Sequence, residues 1–147
     1  MKNLHAERDR HQLAERIRQL DANAPGKWGK MTAPQMVAHL TDSMRMATGD
    51  LSVVPMKTIL RFPPLKQFII YLAPFPRNVP TAPELVSRAP LSFESEVEDL
   101  LRMFRRFASR DPRARWPAHP AFGALSGGDW GALAYRHCDH HLRQFNA

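Results

Sequence analysis

Cysteine is almost missing from this sequence, Cys138 being the only one. That excludes an internal disulfide and every multi-cysteine zinc or iron–sulfur site, and it fits a reducing compartment, with the cytoplasm as the expected location. Long apolar runs are missing too. The longest, residues 68–73, falls far short of the roughly 20 residues that cross a bilayer, so no membrane partner is expected. The first ten residues are crowded with charge and lack the apolar segment that precedes a secretory cleavage site. Acidic side chains are scarce relative to basic ones, 14 against 21, for a formal charge of +7. An excess of this size raises nucleic acid as a partner. The distribution argues against it. In residues 92–110 the acids Glu94, Glu96, Glu98 and Asp99 come first, with Arg102, Arg105, Arg106 and Arg110 after them, as a helix dipole favours. Glu98 and Arg102 are spaced for an i,i+4 pair, so a solvated helix face accounts for much of the charge, and no recognition motif accompanies it.

What the chain does have is apolar content, 44% over 147 residues, enough for one domain with one core. Leu13, Ile17 and Leu20 predict a one-sided helix over residues 4–20, ended by Pro25 and Gly26. Thr32 with Gln35 forms a capping-box pattern and Pro34 sits in the first turn, opening a second helix that Thr48, Gly49 and Asp50 close. Residues 57–72 are mostly apolar but interrupted by Pro63 and Pro64. Pro74, Pro76, Pro80, Pro83 and Pro90 then forbid a helix and predict a long loop, either a binding loop or a plain surface connection. Phe93, Val97, Leu100, Leu101, Phe104 and Phe107 carry the clearest helical period. After an irregular stretch over residues 111–128, Ser126 with Asp129 caps a last helix. No convincing period-two pattern occurs, so the fold class is all-α, four long helices with long Pro-rich connections.

Winding the last helix at about 100° per residue from Trp130 puts His137 and His141 at roughly 340° and 20°, in the middle of the apolar stripe. Gln144 follows inside, His140 falls to the flank and Cys138 to the edge, as a small core residue. His39 shares a stripe of the second helix with Met36, Leu40, Ser43 and Ala47, and should face inward as well. Three buried imidazoles are costly unless something satisfies them all, and a metal ion does so. Two residues are candidate catalytic groups. His119, before Pro120 in a loop, could act as acid or base, or be a turn residue. Gln144 could bond ligands or substrate, or only cap the polar pocket. Asp42, one turn from His39, could orient an imidazole or face solvent.

Trp28 with Thr32-Ala33-Pro34-Gln35-Met36-Val37-Ala38-His39-Leu40, and His137-Cys138-Asp139-His140-His141-Leu142-Arg143-Gln144, resemble the second-helix signature and the closing HxxxHxxQ of the DinB-like superfamily. The two irregular stretches, the second containing His119-Pro120-Ala121-Phe122-Gly123, resemble an uncharacterised branch of it. The resemblance implies a four-helix bundle in which His39, His137 and His141 bind a divalent transition metal such as zinc or nickel. Some members are metal-dependent transferases using low-molecular-weight thiols, or maleylpyruvate isomerases. The expectation is therefore a metal-dependent transferase or hydrolase acting on a small molecule, a thiol among the candidates, with a non-catalytic metal-binding stress or structural protein as the alternative. A homodimer is compatible with either.

Overall fold

The computed structural model describes residues 1–75, 77, 82–86 and 88–147; Pro76 and Pro80 of the expected loop lie outside them. The described residues form five α-helices and no strand: α1 (Glu7–Arg18), α2 (Ala33–Thr48), α3 (Leu65–Tyr71), α4 (Phe93–Ser109) and α5 (Gly127–Gln144), with 3₁₀ turns at Ile59–Arg61 and Pro83–Leu85. The one bridge outside helices pairs His119 with Gly123.

The caps expected from sequence open α2 and α5. Thr32 and Gln35 bond reciprocally, as do Ser126 and Asp129, satisfying backbone N–H groups that a helix start leaves unpaired. Gly49 ends α2 in the left-handed conformation at φ 89°, which a side-chain-bearing residue rarely adopts. α1 is shorter than its apolar spacing suggested. Residues 4–6 stay out of the helix: Asn3 donates its N–H to the Asp9 carboxylate and the Leu4 N–H goes across to the Gly131 carbonyl, 3.0 Å away. The Pro63 and Pro64 interruption divides the third apolar segment into the first 3₁₀ turn and α3.

The four long helices touch in a closed order, α1 to α4, α4 to α2, α2 to α5 and α5 to α1. One continuous core runs between them, with Leu13, Ile17, Met36, Leu40, Leu100, Phe104, Phe107 and Leu142 almost fully buried. α2 is nearly enclosed, and its hydroxyls bond back along the helix, Thr41 to the Val37 carbonyl and Ser43 to that of His39. No polar atom of those two side chains is thereby left unmet. α3 lies against α5: Tyr71 donates to Asp129, and Arg136 donates to the carbonyls of Ile69, Ile70 and Ala73.

The charged face expected on α4 departs from expectation at Glu96. Its side chain is fully buried and takes the fork of Arg88, while Arg102 pairs with Asp99 rather than Glu98. Burial of a carboxylate requires a partner, and Arg88 supplies it from outside the helix.

The start of α5 is packed too closely for a side chain at Gly127. A Cβ there would stand 2.4 Å from the Pro112 carbonyl oxygen and 2.6 Å from Trp116 Nε1, whereas one at Gly128 would meet nothing nearer than Ser126 Oγ at 3.7 Å. Gly127→Ala should therefore cost about 1–3 kcal/mol of stability, and Gly128→Ala should be neutral or gain up to about 1 kcal/mol from helix propensity. Urea denaturation of both variants reads the difference; equal midpoints would contradict the packing described.

Candidate metal centre

The second and last long helices meet at three imidazoles. His39 comes from α2 and is buried; His137 and His141 come one turn apart on α5, His141 buried and His137 partly open to solvent. His137 Nε2 stands 3.1 Å from the Nε2 of His39 and 3.1 Å from that of His141, and the ring centroids are 4.8–5.0 Å apart. All three donor atoms lie within 4.8 Å of one another.

The far side of each buried ring settles its tautomer. His39 Nδ1 lies 3.2 Å from the Leu85 carbonyl, which can only accept, so this nitrogen carries the proton. Gln144 donates its amide N–H to the Trp28 carbonyl, which turns its own oxygen toward His141 Nδ1 at 2.8 Å. That nitrogen must be the protonated one as well. Both Nε2 atoms then present lone pairs inward, and a single proton on His137 Nε2 can serve only one of them. Burial dominates the proton affinities. It lowers the pKa of His39, takes His141 down to about 3 and holds His137 well below the ordinary imidazole value, with the neighbouring rings adding to the effect at the latter two. The trio is neutral at physiological pH, the state in which imidazole ligates a metal.

This donor set fits a divalent transition ion. Ligands about 2.0–2.1 Å from a tetrahedral zinc stand about 3.3–3.4 Å from one another, close to the two 3.1 Å separations here. Among the described residues no fourth His, Cys, Asp or Glu joins the three.

The other residues singled out in the sequence occupy different places. Cys138 is fully buried in the core, and its thiol is pushed up to about 12 by burial, far from a nucleophile's range. Asp42 neither faces solvent nor touches an imidazole, a correction to both readings: it is 5% exposed and held by Arg45 and Arg88. The acceptor behind His39 is the Leu85 carbonyl instead. His119 takes the backbone N–H groups of Ala121 and Phe122 on Nδ1, and its backbone pairs with Gly123 in both directions. Burial takes its pKa down to about 4. His140 stays on the flank, its ring 5.5 Å from Trp28 and 5.2 Å from His141.

Sequence reasoning missed what surrounds the open side. Phe75 stacks on His137 at 6.2 Å and leans on His140 at 5.8 Å, and the Arg77 guanidinium lies over the Trp28 ring at 4.4 Å. The Pro-rich segment thus meets the histidines at Phe75 and Leu85 and is more than a surface connection. A single buried polar or aromatic residue in a loop has no period to mark it, so only its proline content drew notice.

No curated protein and no solved structure matches the chain. A family model described as Protein of unknown function (DUF1569) matches residues 2–147. That span includes both histidine-bearing helices and the loops packed on them, and the chain belongs to the DUF1569 family.

Proposed function

We propose that this protein is a DinB-like four-helix bundle and a metal-dependent enzyme of transferase or hydrolase type. His39, His137 and His141 hold one divalent transition ion, zinc or nickel by the resemblance of the two histidine motifs. The observation that carries the reading is the convergence of three neutral Nε2 atoms, two of them locked with their lone pairs inward. Imidazoles suit zinc, nickel, copper and iron and are poor ligands for calcium or magnesium. When bound, such an ion supplies Lewis acidity at a coordination position that the protein leaves open. A purely structural ion calls for a fourth protein ligand that closes the sphere, and no fourth His, Cys, Asp or Glu joins the three among the described residues. The partial exposure of His137 gives a small-molecule substrate its approach. Gln144 positions His141 from behind and Leu85 positions His39. His119, with Nδ1 occupied by two backbone N–H groups, shapes the loop over α5 rather than moving a proton.

Protein purified without a His-tag or chelator should carry about one transition-metal ion per chain. His39→Ala, His137→Ala and His141→Ala should each abolish binding, Gln144→Leu should weaken it by about 10–100-fold, and His140→Ala should retain it. Elemental analysis and zinc or nickel titration measure this. A wild-type chain that refuses both metals would overturn the proposal; loss in His140→Ala with retention in His141→Ala would show α5 rotated from the orientation described.

The same burial makes the metal-free protein acid-sensitive. The unfolded chain takes up protons on its histidines below about pH 6.5, whereas folded His119 and His141 stay neutral until about 4 and 3. The unfolded state therefore binds more protons as pH falls, and the stability present above pH 6.5 is lost progressively below it. The melting temperature of chelator-treated protein should fall between pH 7 and 5, before carboxylates titrate. A flat profile across that window would contradict the burial of these rings.

A further inference from the structure

Beside the three histidines stands a group of side chains that metal binding does not use. Arg77, Trp28, His140 and Phe75 follow one another in a chain of ring and cation contacts of 4.4–6.2 Å that ends on His137. We propose that this rim recognises a carboxylate, so that the ligand of the site is a small organic acid bound through its carboxylate to Arg77 and through a second donor atom to the metal; the inference rests on the metal reading above.

Three observations carry it. First, Arg77 is presented for an anion. Its guanidinium carbon lies 4.4 Å from the centre of the Trp28 ring, and no hydrogen bond ties it to another described residue; a guanidinium offers the planar fork of N–H donors that matches a carboxylate. The main chain that carries this indole is tied to the end of α5: the Lys27 N–H donates to the Gln144 carbonyl at 2.8 Å and the Trp28 carbonyl accepts from the Gln144 amide.

Second, the acids near this edge are committed elsewhere. Asp139, on the α5 turn below His140, is paired with Arg16 at 2.6 Å and Arg143 at 2.9 Å, and Asp42 behind His39 is paired with Arg45 and Arg88. Among the described residues Arg77 makes no ion pair. Three neutral imidazoles leave the double charge of the ion uncompensated, so the open side of the centre is cationic and an anionic ligand complements it.

Third, the second arginine at the rim is not available. Arg136 lies over Phe75 at 5.1 Å, but its guanidinium is turned to α3, with Nη1 donating to the carbonyls of Ile69 and Ile70 and Nη2 to that of Ala73 just beyond. Arg77 is left as the anion-binding group, with Phe75 as an apolar wall for the body of the ligand.

The test uses cobalt-loaded protein and two probes that share a metal-binding ring and differ in a carboxylate, imidazole-4-acetate and 4-methylimidazole, with binding read from the cobalt absorption spectrum. Imidazole-4-acetate should bind about tenfold or more tightly, as a charge-assisted hydrogen-bond pair implies. Arg77→Gln should remove most of that preference while leaving the 4-methylimidazole affinity unchanged, and Arg77→Lys should restore part of it. Equal affinities in the wild type, or a preference undiminished in Arg77→Gln, would overturn the rim proposal with the metal site intact. Failure to take up cobalt would overturn the metal reading, and the rim proposal with it.

Discussion

Nitrogen facing nitrogen at 3.1 Å, in a place where water is largely excluded, is the constraint around which this structure is arranged. Such a cluster is unfavourable in the folded chain on its own, because buried acceptors without donors forfeit their hydration. It persists with the two buried rings held from behind. α2 and α5 bring the rings together, but what holds them comes from outside the helices: a carbonyl from the 3₁₀ turn at Pro83–Leu85, and a carbonyl at Trp28 that fixes Gln144 and through it His141. Loops that look like mere connections thus complete the donor geometry.

The turn carrying Leu85 is itself tied down by charge. Arg88 places its fork on Glu96 of α4 and a further N–H on Asp42 of α2; Arg45 joins Asp42 to Asp99, and the Leu91 N–H bonds Glu96 at 2.8 Å. The Arg88 hydrogen bonds, ahead of every other influence, keep the Glu96 carboxyl ionised below its usual range despite burial. Buried ion pairs are poor evidence of net stability, since desolvation offsets much of the attraction. Their contribution here is register. They tie Arg88 to α2 and α4 and Leu91 to α4, and so steady the turn whose Leu85 carbonyl meets His39.

Much of this could be read from spacing alone. Apolar period and the two capping boxes located α2, α4 and α5, and the wheel argument placed His137, His141 and Gln144 on one face with His140 beside it. Helices repeat, and a repeating pattern carries its own register. The misses share a physical cause. The absence of residues 4–6 from α1 depends on Gly131, over a hundred positions away; the burial of Glu96 depends on an arginine in an irregular segment; the acceptor for His39 is a main-chain carbonyl that no residue type announces. Long-range pairings of single polar groups leave no periodic trace.

His39 and His137 are 98 residues apart in the chain. A link between positions so distant withdraws from the unfolded ensemble a loop-closure entropy worth about 4–5 kcal/mol, by the chain-entropy relation that applies to disulfides. With one cysteine, this chain has no disulfide to do so. An ion shared by α2 and α5 would act as a removable staple between the early and late parts of the polypeptide. It could close only after both had assembled, so loading would mark the completion of folding rather than its start, and chelation would loosen the whole chain rather than one pocket.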